Sequence, residues 1–307
     1  MYGASLRIQL LRLLFVVAAI PVLLFSVGSL RRSYVYQRDA VTRSLEDRAS
    51  GIQRRLDDYL AKHVSAIQAL ARTVPSGPPA YTPQWTNLLG AYQELYPGFL
   101  TMMMAGPTGR VAIFSRVGGQ PSSAEGLNNV SDREYFAAAM GSQKPYISAA
   151  FRGRGLGTDP LVGISSRFEA PSGTPGGIVE GSLDLHRLGD FVNDYSGQLT
   201  LILDRSNRVT YASPALPFKA LQDLSGSPLT HVQSGSVVRY GQPDRSYIVG
   251  LAPVESSFKW RVVVFYPSAL FYQAFTATLR TAAMALIAGC AICFITARLA
   301  ARRAALP

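Results

Sequence analysis

The sequence predicts a mixed α+β protein: one long N-terminal helix, then two similar α+β modules in series, with a membrane-length apolar segment at each end. Three observations carry this. Two charge-free apolar runs lie near the termini, a stripe of apolar residues at helical spacing follows the first run, and two related β-hairpin segments recur 98 residues apart. The length of 307 residues exceeds what one core usually organises, which favours more than one structural unit. With 48% apolar residues, 16% charged and two cysteines, the chain is neither a disordered polypeptide nor a disulfide scaffold.

The formal charge of +11 first suggests a nucleic-acid partner, but its location argues otherwise. Residues 1–30 and 271–307 hold six arginines and no acid, 31–74 hold nine basic and five acidic residues, and 75–270 hold fifteen against fourteen. A nucleic-acid-binding body would concentrate positive charge on its folded part, because phosphate neutralisation supplies most of the affinity. Here the excess flanks apolar segments, so the expected partner is a membrane and not a nucleic acid.

Between Arg12 and Arg31 lie eighteen uncharged residues, 13–30, long enough to cross a hydrocarbon core of about 30 Å. Pro21 falls within the run, which a membrane helix tolerates. A second run occupies 281–297 and can borrow 275–279 above it. Arg7 and Arg12 before the first run, and Arg298, Arg302 and Arg303 after the second, place both tails in the cytoplasm by the positive-inside rule. Arg31, Arg32 and Arg38 oppose that assignment, but long connecting domains are translocated largely regardless of charge. A cleaved signal peptide ending near Ser26-Val27-Gly28 is the rival reading of the first run.

Past the first run, Val41, Leu45, Ala49, Ile52, Leu56, Tyr59, Leu60, Val64, Ile67, Leu70 and Val74 recur in steps of three and four. That spacing predicts a helix over 31–74, about 60 Å long, serving as a dimer stalk or as a spine for packed modules. Pro75-Ser76-Gly77-Pro78-Pro79 should break it. Strand-like segments then flank Gly106-Pro107-Thr108-Gly109 and Asp204-Arg205-Ser206-Asn207. The stretch 106–115 aligns with 204–213, and 161–165 echoes 248–252 at an offset of 87; each copy closes with another strand, at 177–185 and 260–267.

The most specific stretch is Val130-Ser131-Asp132-Arg133-Glu134-Tyr135-Phe136-Ala137-Ala138-Ala139, followed by Lys144-Pro145-Tyr146-Ile147-Ser148. With the long helix and tandem modules, it resembles the double Cache (dCache) sensor domains of bacterial transmembrane receptors. The resemblance covers about residues 33–270 and implies two PAS-like modules between the spans. The expected boundaries are a cytoplasmic tail at 1–12, a span at 13–30, the stalk helix at 31–74, a membrane-distal module at 75–190, a membrane-proximal module at 191–270, a span at 271–297 and a HAMP-like segment from 298 to 307. Residues 31–270 would then be periplasmic or extracellular in a two-pass inner-membrane protein that forms a homodimer.

The resemblance also implies a small-molecule ligand in the distal module. Arg133 offers a donor fork for a carboxylate, Tyr135 an aromatic wall, and Tyr146 and Ser148 further hydrogen bonds; Asp159 and Ser182 complete the candidate set. Amino-acid-binding members are expected to carry Trp-Tyr where this chain has Tyr135-Phe136, and an aspartate where it has Ser182. Without that carboxylate an ammonium group lacks its partner, so an organic acid is expected, with an amino acid as the alternative if alignment shifts to Asp184.

Catalysis is not expected. His63, His186 and His231 lie far apart, Asp184 and His186 alternate at a strand end, and the Gly-rich loop 152–157 lacks a phosphate-cradle context. Cys290 and Cys293 have redox spacing inside an apolar run, where helix packing explains them better. No cofactor or metal is expected. The chain reads as a sensor whose output module, a histidine kinase, diguanylate cyclase or chemoreceptor segment, would follow; a membrane-anchored adaptor and a membrane-tethered hydrolase are the alternatives.

Overall fold

The structure, a computed structural model, describes residues 2–74, 83–118, 122–123, 129–192, 197–240, 245–253 and 255–303. The expected proline break at 75–79 and the last four residues of the HAMP-like segment lie outside the described residues.

Helix α1 (Tyr2–Thr73) is continuous through Pro21. Its apolar stripe is the reason it packs: Leu45, Ala49, Ile52, Leu56, Leu60, Ile67 and Leu70 are buried in one core with residues of both sheets. Within the chain the helix is therefore a spine, which is one of the two roles its periodicity allowed.

After α2 (Pro83–Leu95) the first module forms around β1 (Phe99–Ala105), β2 (Val111–Arg116), β3 (Ser122–Ser123), α3 (Glu134–Met140), β4 (Tyr146–Ile147), β5 (Phe151–Arg152), β6 (Pro160–Glu169) and β7 (Pro175–Asp184). Its sheet order is β3-β2-β1-β7-β6-β4, with β5 also on β6. A 3-10 turn (Leu185–Phe191) leads into β8 (Leu199–Leu203), β9 (Val209–Ala212), β10 (Val237–Arg239), β11 (Ser246–Leu251) and β12 (Arg261–Pro267). The second sheet runs β10-β11-β12-β8-β9. Read from the other edge, it repeats the first sheet's β2-β1-β7-β6-β4, and every pairing in both is antiparallel.

The hairpin repeat holds residue for residue. Ala105 pairs with Val111 and Leu203 with Val209, each just after a register shift. Gly106 N donates to Arg110 O and Asp204 N to Arg208 O, both at 3.0 Å. Gly109 and Asn207 occupy the same turn position with φ of 79° and 58°, a region open to glycine and tolerated by asparagine.

The second echo is out by one residue. Glu180 pairs with Met103 and Val263 with Leu201, which are equivalent at the hairpin offset; opposite them stand Ser165 and Leu251, an offset of 86. Ile164, not Gly163, is thus the counterpart of Gly250. A one-residue slip exchanges the two faces of a strand, so the correction decides which residues face the spine. Ile164 does, and Gly163 faces away toward Tyr135 and Glu180.

Two membrane helices were expected. Among the described residues one helix segment is long and apolar enough by itself, Ser268–Thr296 of α4 (Ser268–Arg303), with a mean hydropathy of 1.9 and none of its apolar window buried. The run at 13–30 forms the lower part of α1, where Val17, Leu24, Phe25 and Val27 are exposed, Phe25 to 78%. The two helices touch where Tyr34 meets Phe275 at a ring-centroid distance of 5.2 Å and Gln37 Nε2 lies 3.4 Å from Thr278 Oγ1.

A candidate ligand pocket in the first module

Alternation along β1, β6 and β7 gives the first sheet two faces. Met102, Met104, Val162, Ile164, Val179 and Leu183 join the spine's core. Met103 and Ile178 turn to the opposite face and pack with Tyr135 and Phe136 of α3. Between that face, α3 and the loop 153–157 lies a pocket of about 640 Å³, its open mouth included. Arg133, Tyr135, Asp159 and Ser182 of the expected set line it, together with Thr101, Asn129, Phe151, Arg154 and Glu180.

Tyr146 and Ser148 do not line it. Ser148 Oγ accepts from Gly163 N at 3.0 Å and donates to Ala149 O at 2.8 Å, so it closes the backbone ladder beside β6. Tyr146 lies on an edge strand, and its hydroxyl donates to Glu134 Oε1. Sequence adjacency to the Arg133 segment could not show that this edge abuts the other module. There Arg205, in the turn between β8 and β9, donates to Glu134 Oε1 at 2.7 Å and to Tyr146 Oη, and its guanidinium lies 4.5 Å from the Tyr146 ring centre. Asp204 accepts from Ala150 N at 2.7 Å, and Arg208 donates to Ala150 O at 2.8 Å. The second module's hairpin tip therefore grips the first module beside two pocket elements, α3 and Phe151. A double-mutant cycle of Arg205→Ala and Glu134→Ala in denaturant unfolding should show a coupling of about 0.5–1 kcal/mol, the usual ceiling for a pair this exposed; strict additivity would mean the grip is idle.

Glu180 is the site residue that the sequence reading missed. It is 2% exposed, and Ser182 Oγ donates to its Oε1 at 2.6 Å. Burial pushes its carboxyl up to about 8, against the hydrogen bond from Ser182 and the positive charge of Arg133. The signal was available: in a strand, residues two apart share a face, so a pocket-facing Ser182 requires a pocket-facing Glu180. The missing carboxylate that argued against an ammonium ligand is thus supplied one pleat earlier. Asp184 does not supply it; Asp184 Oδ1 accepts from His186 N at 2.9 Å and lies 2.8 Å from His186 Nδ1, capping the 3-10 turn with an imidazole that is 69% exposed.

The remaining charges form a rim. Arg154 pairs with Asp132 through both carboxylate oxygens at 3.0 and 2.8 Å, and that bond holds Asp132 below its ordinary pKa. Arg116 pairs with Asp159 at 3.3 Å and donates to Leu156 O, tying down the Gly-rich loop that forms part of the wall. Arg133 stands at the N-cap of α3, its guanidinium 5.5 Å from the Phe151 ring centre. Burial pushes the Tyr135 hydroxyl's pKa upward, with Glu180 adding to the shift. His63 lies on the spine, 3% exposed, its Nδ1 2.8 Å from Tyr59 O, and burial lowers its pKa. It is remote in role from the pocket, which it does not line.

The second sheet shows what closes such a pocket. The register makes Val263 the counterpart of Glu180 and Phe265 that of Ser182. Phe265 packs edge-on against Tyr247 and lies near Phe218 and Tyr240, filling the equivalent face with a continuous apolar cluster. Two copies of one sheet thus differ in whether small polar or large apolar side chains stand on the same positions.

One spine helix thus carries two such modules, one hollow and one filled. Comparison with solved structures gives the particular fold. The extracellular domain of soHK1S-Z6, assigned as a histidine kinase, matches with a TM-score of 0.59 at 16% identity over 79% of this chain and 99% of that one. The ligand-binding domain of the Campylobacter jejuni chemoreceptor Tlp3 in complex with L-valine matches at 0.58 and 14%, over 77% and 96%. That of the Pseudomonas fluorescens chemoreceptor CtaA in complex with L-serine matches at 0.57 and 15%, over 76% and 99%. No family model and no curated protein matches the chain. The chain shares its fold with these extracellular and ligand-binding domains, in keeping with the resemblance to double Cache domains.

Proposed function

We propose that this chain is the extracytoplasmic sensor region of a transmembrane receptor, that its first module is membrane-distal and binds a small α-amino acid, and that occupancy is passed through the second module to α4. The observation that carries the ligand class is the meeting of Arg133 and Glu180 in one pocket. A guanidinium fork suits a carboxylate, and a buried acid with only a serine donor suits an ammonium group. Fold likeness to domains complexed with L-valine and L-serine supports the same class. The sensor reading also treats the chain as a binding and not a catalytic unit, with the apolar parts of α1 and α4 as two spans and the region between them outside the inner membrane.

An organic acid is the second reading, favoured by the tendency of Glu180 to be neutral near pH 7, which leaves Arg133 and Arg154 as the dominant charges. The full chain in detergent, tested by thermal shift against the twenty L-amino acids and a set of short mono- and dicarboxylates, separates them. For the true ligand Arg133→Ala should weaken binding roughly 30-fold or more, since it removes the partner of a desolvated charge. Glu180→Gln should abolish an amino-acid response and spare a dicarboxylate response. A hit undiminished by Arg133→Ala would refute the pocket assignment.

Transmission follows the contacts already described. Glu134 is flanked by the pocket residues Arg133 and Tyr135, and Ala150 precedes Phe151, so a ligand that shifts α3 or β5 shifts what Arg205, Asp204 and Arg208 hold. The hairpin tip belongs to β8, which pairs with β12, and β12 enters α4 without a connecting loop.

A further inference from the structure

A second cleft opens where the second module's hairpin tip and β12 meet the spine. It measures about 1040 Å³, its open mouth included, and shares no lining residue with the first-module pocket. Gln53 of α1, Arg205 of the hairpin tip, Glu255 and Lys259 ahead of β12, and Trp260 and Arg261 where β12 begins all line it. Charge does not balance there, because three cations face one lining acid, Glu255. Arg205 is held by Glu134. Arg261 donates to neutral oxygens, Leu229 O at 3.2 Å, Thr230 O at 2.8 Å and Asn207 Oδ1 at 2.9 Å. Neither Arg261 nor Lys259 forms an ion pair with an acid among the described residues. Behind the wall, Asp57 Oδ1 is taken up by Ser256 Oγ at 2.5 Å and Gln53 Nε2 at 3.3 Å. Trp260 is 3% exposed, and its indole N–H has no hydrogen-bond partner among the described residues. A buried donor without an acceptor is unfavourable, and an anion oxygen in the cleft that Trp260 lines would relieve it. Lys259 has a φ of 59°, a region that glycine or asparagine occupies at less cost, so a cation is kept at a backbone position that does not favour lysine.

We propose that this cleft is a second ligand site, which takes a small oxyanion carrying two or more negative charges on carboxylate or phosphate groups. Arginine forks engage such oxygens two at a time, and the cations stand on separate segments, so each can take a different group of one molecule. The site also bears on the contact between modules. Arg205 lines the cleft and donates to Glu134 Oε1 at 2.7 Å, so an anion there competes with Glu134 for one guanidinium.

The test is isothermal titration calorimetry on the full chain in detergent, in a buffer free of multivalent anions, with citrate, pyrophosphate and, as the singly charged control, acetate. Citrate or pyrophosphate should bind and acetate should not; no heat from either polyanion, or equal affinity for acetate, overturns the proposal. Lys259→Asn should weaken binding roughly fivefold, the upper range for an exposed charge. Asparagine suits the backbone there, so the unfolding midpoint should be unchanged or raised and the loss is not one of folding. Glu255→Gln and Glu134→Gln should each tighten binding about twofold, the first by removing the opposing charge and the second by freeing Arg205. An anion that binds Lys259→Asn as well as wild type is an adventitious ion only, and the cleft is then not a site. Arg133→Ala should leave the affinity unchanged. If it abolishes binding, the anion sits in the first module, which overturns the second site and supports the organic-acid reading of that pocket.

Discussion

Replacing Gly250 with alanine is expected to lower the unfolding midpoint by roughly 5–10 °C, a larger loss than a single methyl group usually causes. Gly250 lies on β11 where α1 crosses the second sheet, and a Cβ there would run into the Cβ of Leu45, stand 2.8 Å from the Leu45 carbonyl carbon and 3.0 Å from Glu46 N. Backbone cannot rotate aside as a side chain can, so helix and strand must separate along the seam that buries Leu45, Ala49 and Ile52. The first sheet uses the same device: a Cβ on Gly181 would lie 2.6 Å from the Phe99 ring and 2.9 Å from Ile67 Cδ1. Gly226→Ala, where no atom lies within 4 Å of the new carbon, is the control and should leave the midpoint unchanged. Equal midpoints for Gly250→Ala and Gly226→Ala would show that the spine does not press on the second sheet.

Glu180→Gln should change the pH dependence of stability more than any other single substitution in the pocket. In the ligand-free folded protein the carboxyl is pushed up to about 8, above its ordinary value of 4.5, chiefly by burial. A raised folded value means that the stabilising effect of the neutral acid is fully present below about pH 4.5 and is lost as pH rises through about 8. Across that window wild type should lose roughly 5 kcal/mol relative to the glutamine variant, which keeps the shape and has nothing to ionise. Denaturant unfolding of both proteins at pH 5, 7 and 9 reads the difference directly, and a constant gap would mean that Glu180 is solvated. An amino-acid ligand should reverse the trend, since its ammonium group favours the ionised carboxylate and binding would tighten as pH approaches 8.

The large features were legible because each rests on a local rule. Leu45 to Leu70 mark a helix face at any burial, and Gly109 and Asn207 both satisfy a turn that needs a positive φ, so the hairpins could be matched before the sheets were known. The slip in the second echo has an equally local cause. Strands β6 and β11 are buried on both faces, so Val162-Gly163-Ile164 and Val249-Gly250-Leu251 carry no polar alternation to fix their phase. Of the residues that line the pocket, Arg133 and Tyr135 were named from their motif, whereas Glu180 required the parity of β7 to be followed one step back from Ser182. Tyr146 and Ser148 were misplaced because their neighbours, Arg205 and Gly163, are distant in sequence.

The unbroken run of α1 sets a distance as well as a scaffold. From residue 30, where its apolar stretch ends, to Ile67 beneath the first sheet is about 55 Å along the helix. Counter-ions attenuate electric fields over about 8 Å at physiological ionic strength. On the proposed two-span reading the first module's pocket therefore stands several screening lengths beyond the lipid surface and samples solute at its bulk concentration, indifferent to the charge of the leaflet.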